Sequence, residues 1–163
     1  MKISLKKLHH NAYRCIDSEA TRRFYEDFLG LPLVKAFEIN ETYTGNKTKV
    51  LHTFYSLRDS SSLAFFEVLD DPLEYKRWHD FDLHIALEVE ESILIDFFNK
   101  GKKSNIETRG ISDHGFIKSI YFRDPNGYVI ELTTPNENYD KKYTRKPREI
   151  LNDWTNNKYD KNK

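Results

Sequence analysis

Three things are scarce in this sequence, and each scarcity excludes something. Cysteine occurs once, as Cys15, so an internal disulfide framework and any site built on several thiolates are excluded. A metal, if there is one, falls to His and carboxylate side chains. Net charge is absent too, because 26 Lys and Arg offset 26 Asp and Glu. A nucleic-acid binder needs a basic excess to neutralise phosphates, so that class of partner is not expected. Long apolar runs are missing, and nothing approaches the length that spans a bilayer. Near the N-terminus, Lys2, Lys6 and Lys7 lead into His9, His10 and Asn11 rather than an apolar stretch, so no signal peptide is read. The expectation is a cytoplasmic protein with no nucleic acid and no membrane among its partners. The 163 residues suit one domain around one core.

Aromatic residues, in contrast, are plentiful. Phe and Tyr recur in short β-rich runs such as His52–Leu57 and Leu63–Val68, which read as strands. Two segments carry a helical stripe instead: Ser18–Leu29, with Ala20, Phe24 and Phe28, and Glu91–Lys100, with Ile93, Leu94, Phe97 and Phe98. Each opens on a cap-like residue, Asp17 or Ser18 in the first and Glu90 to Ser92 in the second. Each is expected to stop at a glycine, Gly30 or Gly101, in the left-handed position past the last turn. The order is strand, helix and three strands, stated twice. The second ends match as well, Leu57–Glu67 against Phe122–Glu131, each with an Arg-Asp pair, a turn, an apolar strand and a closing Glu. Asp124-Pro125-Asn126-Gly127 is a strong turn signal. The domain is expected over residues 1–134, with module one at about 6–70 and module two at about 82–134. Residues 135–163 form a polar extension, with a short helix expected over Arg148–Thr155 that carries Ile150, Leu151 and Trp154.

Strand parity then selects residues for chemistry, since alternate side chains share a face. His10, Ala12 and Arg14 share a side on the first strand, and His84, Ala86 and Glu88 on the fifth. Leu63, Phe65 and Glu67 share a side on the fourth, and Val129, Glu131 and Thr133 on the eighth. The opposite parity is mostly greasier and is expected to face the helices. Two His and two Glu would then converge from four strands, a donor set that suits one divalent ion such as Ni, Co, Mn, Fe or Zn. Carboxylates buried together without a metal would repel. Arg14 is placed to bind an anionic substrate group or to pair with Glu88. His52 either lines the cavity or makes a cross-strand contact. Ser119 and Tyr121 share one face, His114 lies in a Ser-Asp-His-Gly turn, and His9 reads as structural.

Leu8–Asp17, Phe24–Leu33, Ala64–Glu67, Leu83–Ala86 and Tyr121–Leu132 together resemble the vicinal oxygen chelate superfamily, which contains glyoxalases, bleomycin and fosfomycin resistance proteins and extradiol dioxygenases. The resemblance covers about residues 6–134. It implies an α+β fold of two tandem βαβββ modules forming an incomplete barrel around a metal, with ligands carried onto His10, Glu67, His84 and Glu131. A His, Glu, His, Glu set is similar to that of glyoxalase lyases, so the implied activity is a metal-dependent lyase or isomerase working on a small oxygen-chelating substrate by metal-stabilised enediolate chemistry. Glu131 or Glu67 would move the proton. His114 and Tyr121 resemble the acid/base and hydrogen-bonding pair of extradiol Fe(II) dioxygenases instead, a reading in which Glu67 lies off the metal. A metal-free drug-binding protein is the third possibility. Arg14, His52 and Ser119 are the expected substrate contacts, and a homodimer is the expected assembly.

Overall fold

The structure, a computed structural model, describes residues 4–137 and 145–158. Module one runs β1 (His10–Cys15), α1 (Ser18–Arg22), β2 (Leu33–Glu41), β3 (Lys47–Ser56) and β4 (Ser62–Val68). Module two runs β5 (His84–Glu88), α2 (Glu91–Lys103), β6 (Thr108–Asp113), β7 (Ile117–Arg123) and β8 (Val129–Pro135), and α3 spans Pro147–Asn157. The sheets have one topology twice, β1-β4-β3-β2 and β5-β8-β7-β6. In each, the first strand pairs parallel with the last, and the other pairings are antiparallel. The fold is therefore the expected α+β pair of βαβββ modules. Its two sheets remain separate and do not close into a barrel.

Local chemistry accounts for the elements. The Asp17 carboxylate accepts from Ala20 N (2.6 Å) and so caps α1. The helix loosens into π-helical turns over Arg23–Phe28, where Leu29 N reaches back to Phe24 O (3.0 Å). Gly30 takes φ +78 just after it, as expected of a C′ glycine. The second glycine has another role. Helix α2 continues through Gly101 to Lys103, and a Cβ at Gly101 would overlap Thr108 Oγ1 and the Phe122 ring. That glycine is there for close packing, and the left-handed turn falls to Asn105 (φ 54). Strand β6 extends to Asp113, because pairing with β7 carries strand geometry through the polar Gly110–Asp113 stretch.

The core lies between the modules. Tyr25 packs on Phe65 (4.6 Å between centroids) and Phe28 on Phe122 (5.2 Å), so the first module's helical segment touches both sheets. The Asp124–Gly127 turn locks this arrangement. Asn126 Oδ1 accepts from Ile16 N (2.8 Å), Tyr25 OH donates to Asp124 Oδ2 (3.0 Å), and Tyr128 OH donates to Arg14 O (2.9 Å). With the helix faces packed inward, the other face of each sheet is open.

That division corrects one expectation. Leu63 and Phe65 are fully buried against Tyr25 and Tyr55, so their face of β4 is the helix face and not the open one. Ala64 and Phe66 share the other face with His10 and His52, as the strand register requires. Both parities of β4 are apolar, so alternation could not tell them apart. On β5 it could: Ile85 is buried, while His84, Ala86 and Glu88 are exposed, as expected.

Candidate metal centre

Strands β5 and β8 are parallel neighbours whose register sets Ala86 opposite Glu131, which leaves His84 and Glu131 on one face. His84 Nε2 stands 3.4 Å from Glu131 Oε2. The other ring nitrogen, Nδ1, lies 2.8 Å from the Asp80 carbonyl oxygen. A carbonyl only accepts, so Nδ1 carries the proton and, in the neutral ring, the Nε2 lone pair faces a carboxylate oxygen. Two acceptors aimed at one another fit a cation between them, and a ligating imidazole commonly donates its second N–H to a carbonyl in this way. The Glu131 side chain is only 7% exposed and that of His84 is 44% exposed, so the pair is anchored on one side and open on the other.

Glu131 is held from behind. Tyr121 OH donates to Oε1 (3.3 Å), and His114 Nε2 is 2.7 Å from the same hydroxyl. Since the single phenolic proton goes to the carboxylate, His114 Nε2–H donates to the tyrosine oxygen. Burial, followed by the Glu131 charge, pushes the Tyr121 phenol above its ordinary pKa, which keeps it a donor. His114, Tyr121, Glu131 and His84 thus form one continuous chain across the open face of the second sheet.

The first module supplies less. His10 is exposed and shares a contact with His9 through Nδ1 (2.8 Å). His52 is buried, stacks on Phe66 (3.6 Å, 16°), and donates Nδ1–H to Phe65 O (2.9 Å). Burial lowers its pKa, so it stays neutral. Glu67 lies on the helix face, where its carboxylate accepts from Ser18 N (2.8 Å) at the start of α1. The register explains why. Ser62 is opposite His10 as Val129 is opposite His84, so the position matching Glu131 is Ala64. Glu67 is three residues further along and faces the other way. Among the described residues, no three His, Cys, Asp or Glu side chains are grouped to hold a metal, so His10 stands apart from the His84–Glu131 pair.

Two substrate candidates are already engaged. Arg14 pairs with Asp71 through its side chain (3.2 Å) and backbone oxygen, not with Glu88. Ser119 is fully buried and donates to Thr133 Oγ1 (3.2 Å). Sequence reasoning missed Asp80, which orients His84 from a loop with no periodic pattern. Its position four residues before a strand histidine was the only signal.

With this geometry in view, the chain can be set beside known proteins. The description "Glyoxalase/Bleomycin resistance protein/Dioxygenase superfamily" matches residues 7–132. The metallothiol transferase FosB of Shouchella clausii (strain KSM-K16) is 39% identical over 61 residues, which cover 31% of this chain and 37% of FosB. The chain therefore matches little more than a third of that relative. A glyoxalase family protein from Bacillus cereus superposes with a TM-score of 0.66 at 16% identity, over 82% of this chain and 97% of that one. The fosfomycin resistance protein FosX from Listeria monocytogenes, complexed with Mn(II) and sulfate, superposes with a TM-score of 0.60 at 16% identity, over 83% and 98%. The structural likenesses speak for the fold alone, and the family match spans both modules and the strands that carry His10, His84 and Glu131. The chain belongs to the Glyoxalase/Bleomycin resistance protein/Dioxygenase superfamily.

Proposed function

We propose that the chain is a divalent-metal-dependent enzyme acting on a small oxygen-chelating substrate, with His84 and Glu131 as ligands and His10 of a second copy as the third. The observation that carries this reading is the His84–Glu131 pair, in which the ring nitrogen not bonded to Asp80 faces a buried carboxylate oxygen 3.4 Å away. His10 and this pair both stand on open sheet faces, away from the shared core. A second copy laying its first sheet against this chain's second sheet would bring His10 to them. Such an assembly is isologous and yields two equal sites.

When bound, a divalent ion supplies Lewis-acid polarisation of a substrate oxygen. The protein does the rest. Tyr121 holds Glu131 Oε1, so that Oε2 stays turned to His84, and Asp80 fixes the imidazole tautomer. His114, exposed at the end of the chain of hydrogen bonds, can exchange a proton with solvent or substrate across the Tyr121 hydroxyl.

The reaction class favoured is group transfer of the kind named for FosB, the relative 39% identical over its aligned stretch. The four-ligand lyase reading loses its support because Glu67 bonds to Ser18 on the opposite face. One observation favours a second reading, extradiol dioxygenation: the His114–Tyr121 hydrogen bond beside a set of two His and one Glu. The protein loaded with Mn(II) or Fe(II) should be given fosfomycin with a low-molecular-weight thiol, a catechol under oxygen, and a thiohemiacetal, with products read by mass spectrometry. A thiol adduct supports the proposal. Oxygen uptake with the catechol selects the second reading, thiohemiacetal isomerisation restores the lyase, and failure to take up metal at all overturns all three.

A further inference from the structure

A cavity of about 490 Å³ lies beside the candidate metal centre, between the loop Arg77–Phe81 and the strand residues Arg109 and Arg123. Three guanidinium groups and the Asp80 carboxylate line it, and the Glu107 carboxylate pairs with Arg77 beside it. Arg77 is bidentate on Glu107 (2.6 and 2.7 Å), Arg109 pairs with Asp80 (2.7 Å), and Arg123 stands between Asp80 (3.5 Å) and Glu107 (3.6 Å). One positive charge is left in excess, and Lys76, 3.9 Å over the Trp78 ring, adds another. One buried N–H of the lining, Trp78 Nε1, has no hydrogen-bond acceptor, and Arg123 Nε has only the distant Glu107 carboxylate, at 3.6 Å. The Arg123 side chain is 7% exposed, and its Nη1 donates to the carbonyls of Trp78 (3.0 Å) and Gly127 (2.8 Å), so it is fixed in place. Buried donors without acceptors are uncommon and costly, and a site with surplus positive charge and an unused donor is complementary to an oxyanion.

We propose that this cavity is an anion subsite that binds a carboxylate or phosphate group, with Arg109 and Arg77 as adjustable clamps, Arg123 as a fixed charge behind them, and the Trp78 N–H as the donor that their movement uncovers. Its position links it to the chemistry. The Asp80 side chain pairs with Arg109 while its carbonyl holds His84, and the Arg109 guanidinium lies 5.3 Å from the centroid of Tyr121, which bonds to Glu131. An acidic substrate held here would have its remaining atoms directed along the face that carries His84 and Glu131. The site for the anion stands by itself; only its service to a substrate rests on the metal-enzyme reading.

The test uses the full chain after chelator treatment, so that no metal can capture the anion, with the Trp78 indole N–H followed by NMR in a Trp154→Phe background. Inorganic phosphate and acetate are titrated separately against chloride at matched ionic strength. Saturable movement of the Trp78 signal with either anion supports the subsite, and the two arms identify which group it prefers. Arg109→Gln and Arg77→Gln should each weaken binding by about tenfold or more. Asp80→Asn, which frees two guanidinium groups and keeps the backbone carbonyl, should tighten it. A Trp78 signal that moves no more with phosphate or acetate than with chloride overturns the proposal, as does Asp80→Asn weakening the binding in a protein that remains folded. Because the metal plays no part in this readout, failure to load metal would sink the catalytic reading and leave this one standing.

Discussion

Module one has an alanine, Ala64, where module two has Glu131, and its own glutamate points into the helix face. The difference predicts two separable phenotypes. Glu131→Gln and His84→Ala should each lower Mn(II) affinity by at least about tenfold, the order of loss that even supporting residues of a metal site produce, read by metal analysis after gel filtration. Glu67→Gln, whose amide oxygen still accepts from Ser18 N, should keep the metal and lose only the negative charge at the helix start, about 0.3–1 kcal/mol in urea unfolding. Metal loss in Glu67→Gln at unchanged stability would return that residue to the ligand set. The sequence made His84 and Glu131 legible because apolar residues mark the opposite parity of their strands, Ile85 and Leu87 on β5 and Ile130 and Leu132 on β8. Glu67 was not legible, since Leu63, Ala64, Phe65 and Phe66 are apolar on both parities and a displacement of three residues along the repeat reverses the face.

Helices and turns, taken as elements, carry two further predictions. Gly101→Ala sets opposing terms against each other. Alanine favours a helix over glycine by about 1 kcal/mol, but the added methyl meets Thr108 and Phe122 in a packed contact, and overpacking costs roughly 1–3 kcal/mol. Net destabilisation is expected, visible as a lower urea midpoint at constant slope, and a stabilised variant would mean that α2 shifts freely. The Asp124–Gly127 turn is sensitive to pH. Asp124 accepts from Asn126 N and Tyr128 N through Oδ1 and from Tyr25 OH and Asn126 Nδ2 through Oδ2, yet burial outweighs these donors and raises its carboxyl above the ordinary range. The folded chain therefore holds this proton to higher pH than the unfolded chain, which releases it near the ordinary value of about 3.9. The stabilisation is complete below that value and is lost as pH rises through the raised one. Urea unfolding across that window should show the native protein losing stability relative to Asp124→Asn as pH increases, and a flat or opposite difference would count against a buried, proton-retaining Asp124.

For the whole molecule, the packing of both helix faces into one core leaves two open sheet faces, and the proposed metal site draws on one face from each of two copies. Complementation tests this. His10→Ala and His84→Ala proteins, each deficient alone, should regain metal on unfolding and refolding together, because a mixed dimer concentrates both lesions in one site and leaves the other intact. Random pairing restores roughly a quarter of sites in a two-fold assembly. Absence of any recovery, with dimers present by light scattering, would place His10 outside the site.

Several features follow from the sequence alone: two βαβββ modules in tandem, no site built on several thiolates, a cap for α1 at Asp17 or Ser18, and the polar parity of β5 and β8 that carries His84 and Glu131. These are consequences of local rules, the two-residue period of a strand and the cap and turn preferences of single residues. Which face of β4 meets a helix depended on Tyr25 and Tyr55 packing against Phe65, and only the fold brings those rings together. The arginine-lined cavity likewise joins Arg77, Arg109 and Arg123, residues far apart in sequence whose charges no local pattern relates. Hydrogen-bond register and core packing are long-range, and they decided what periodicity left equal.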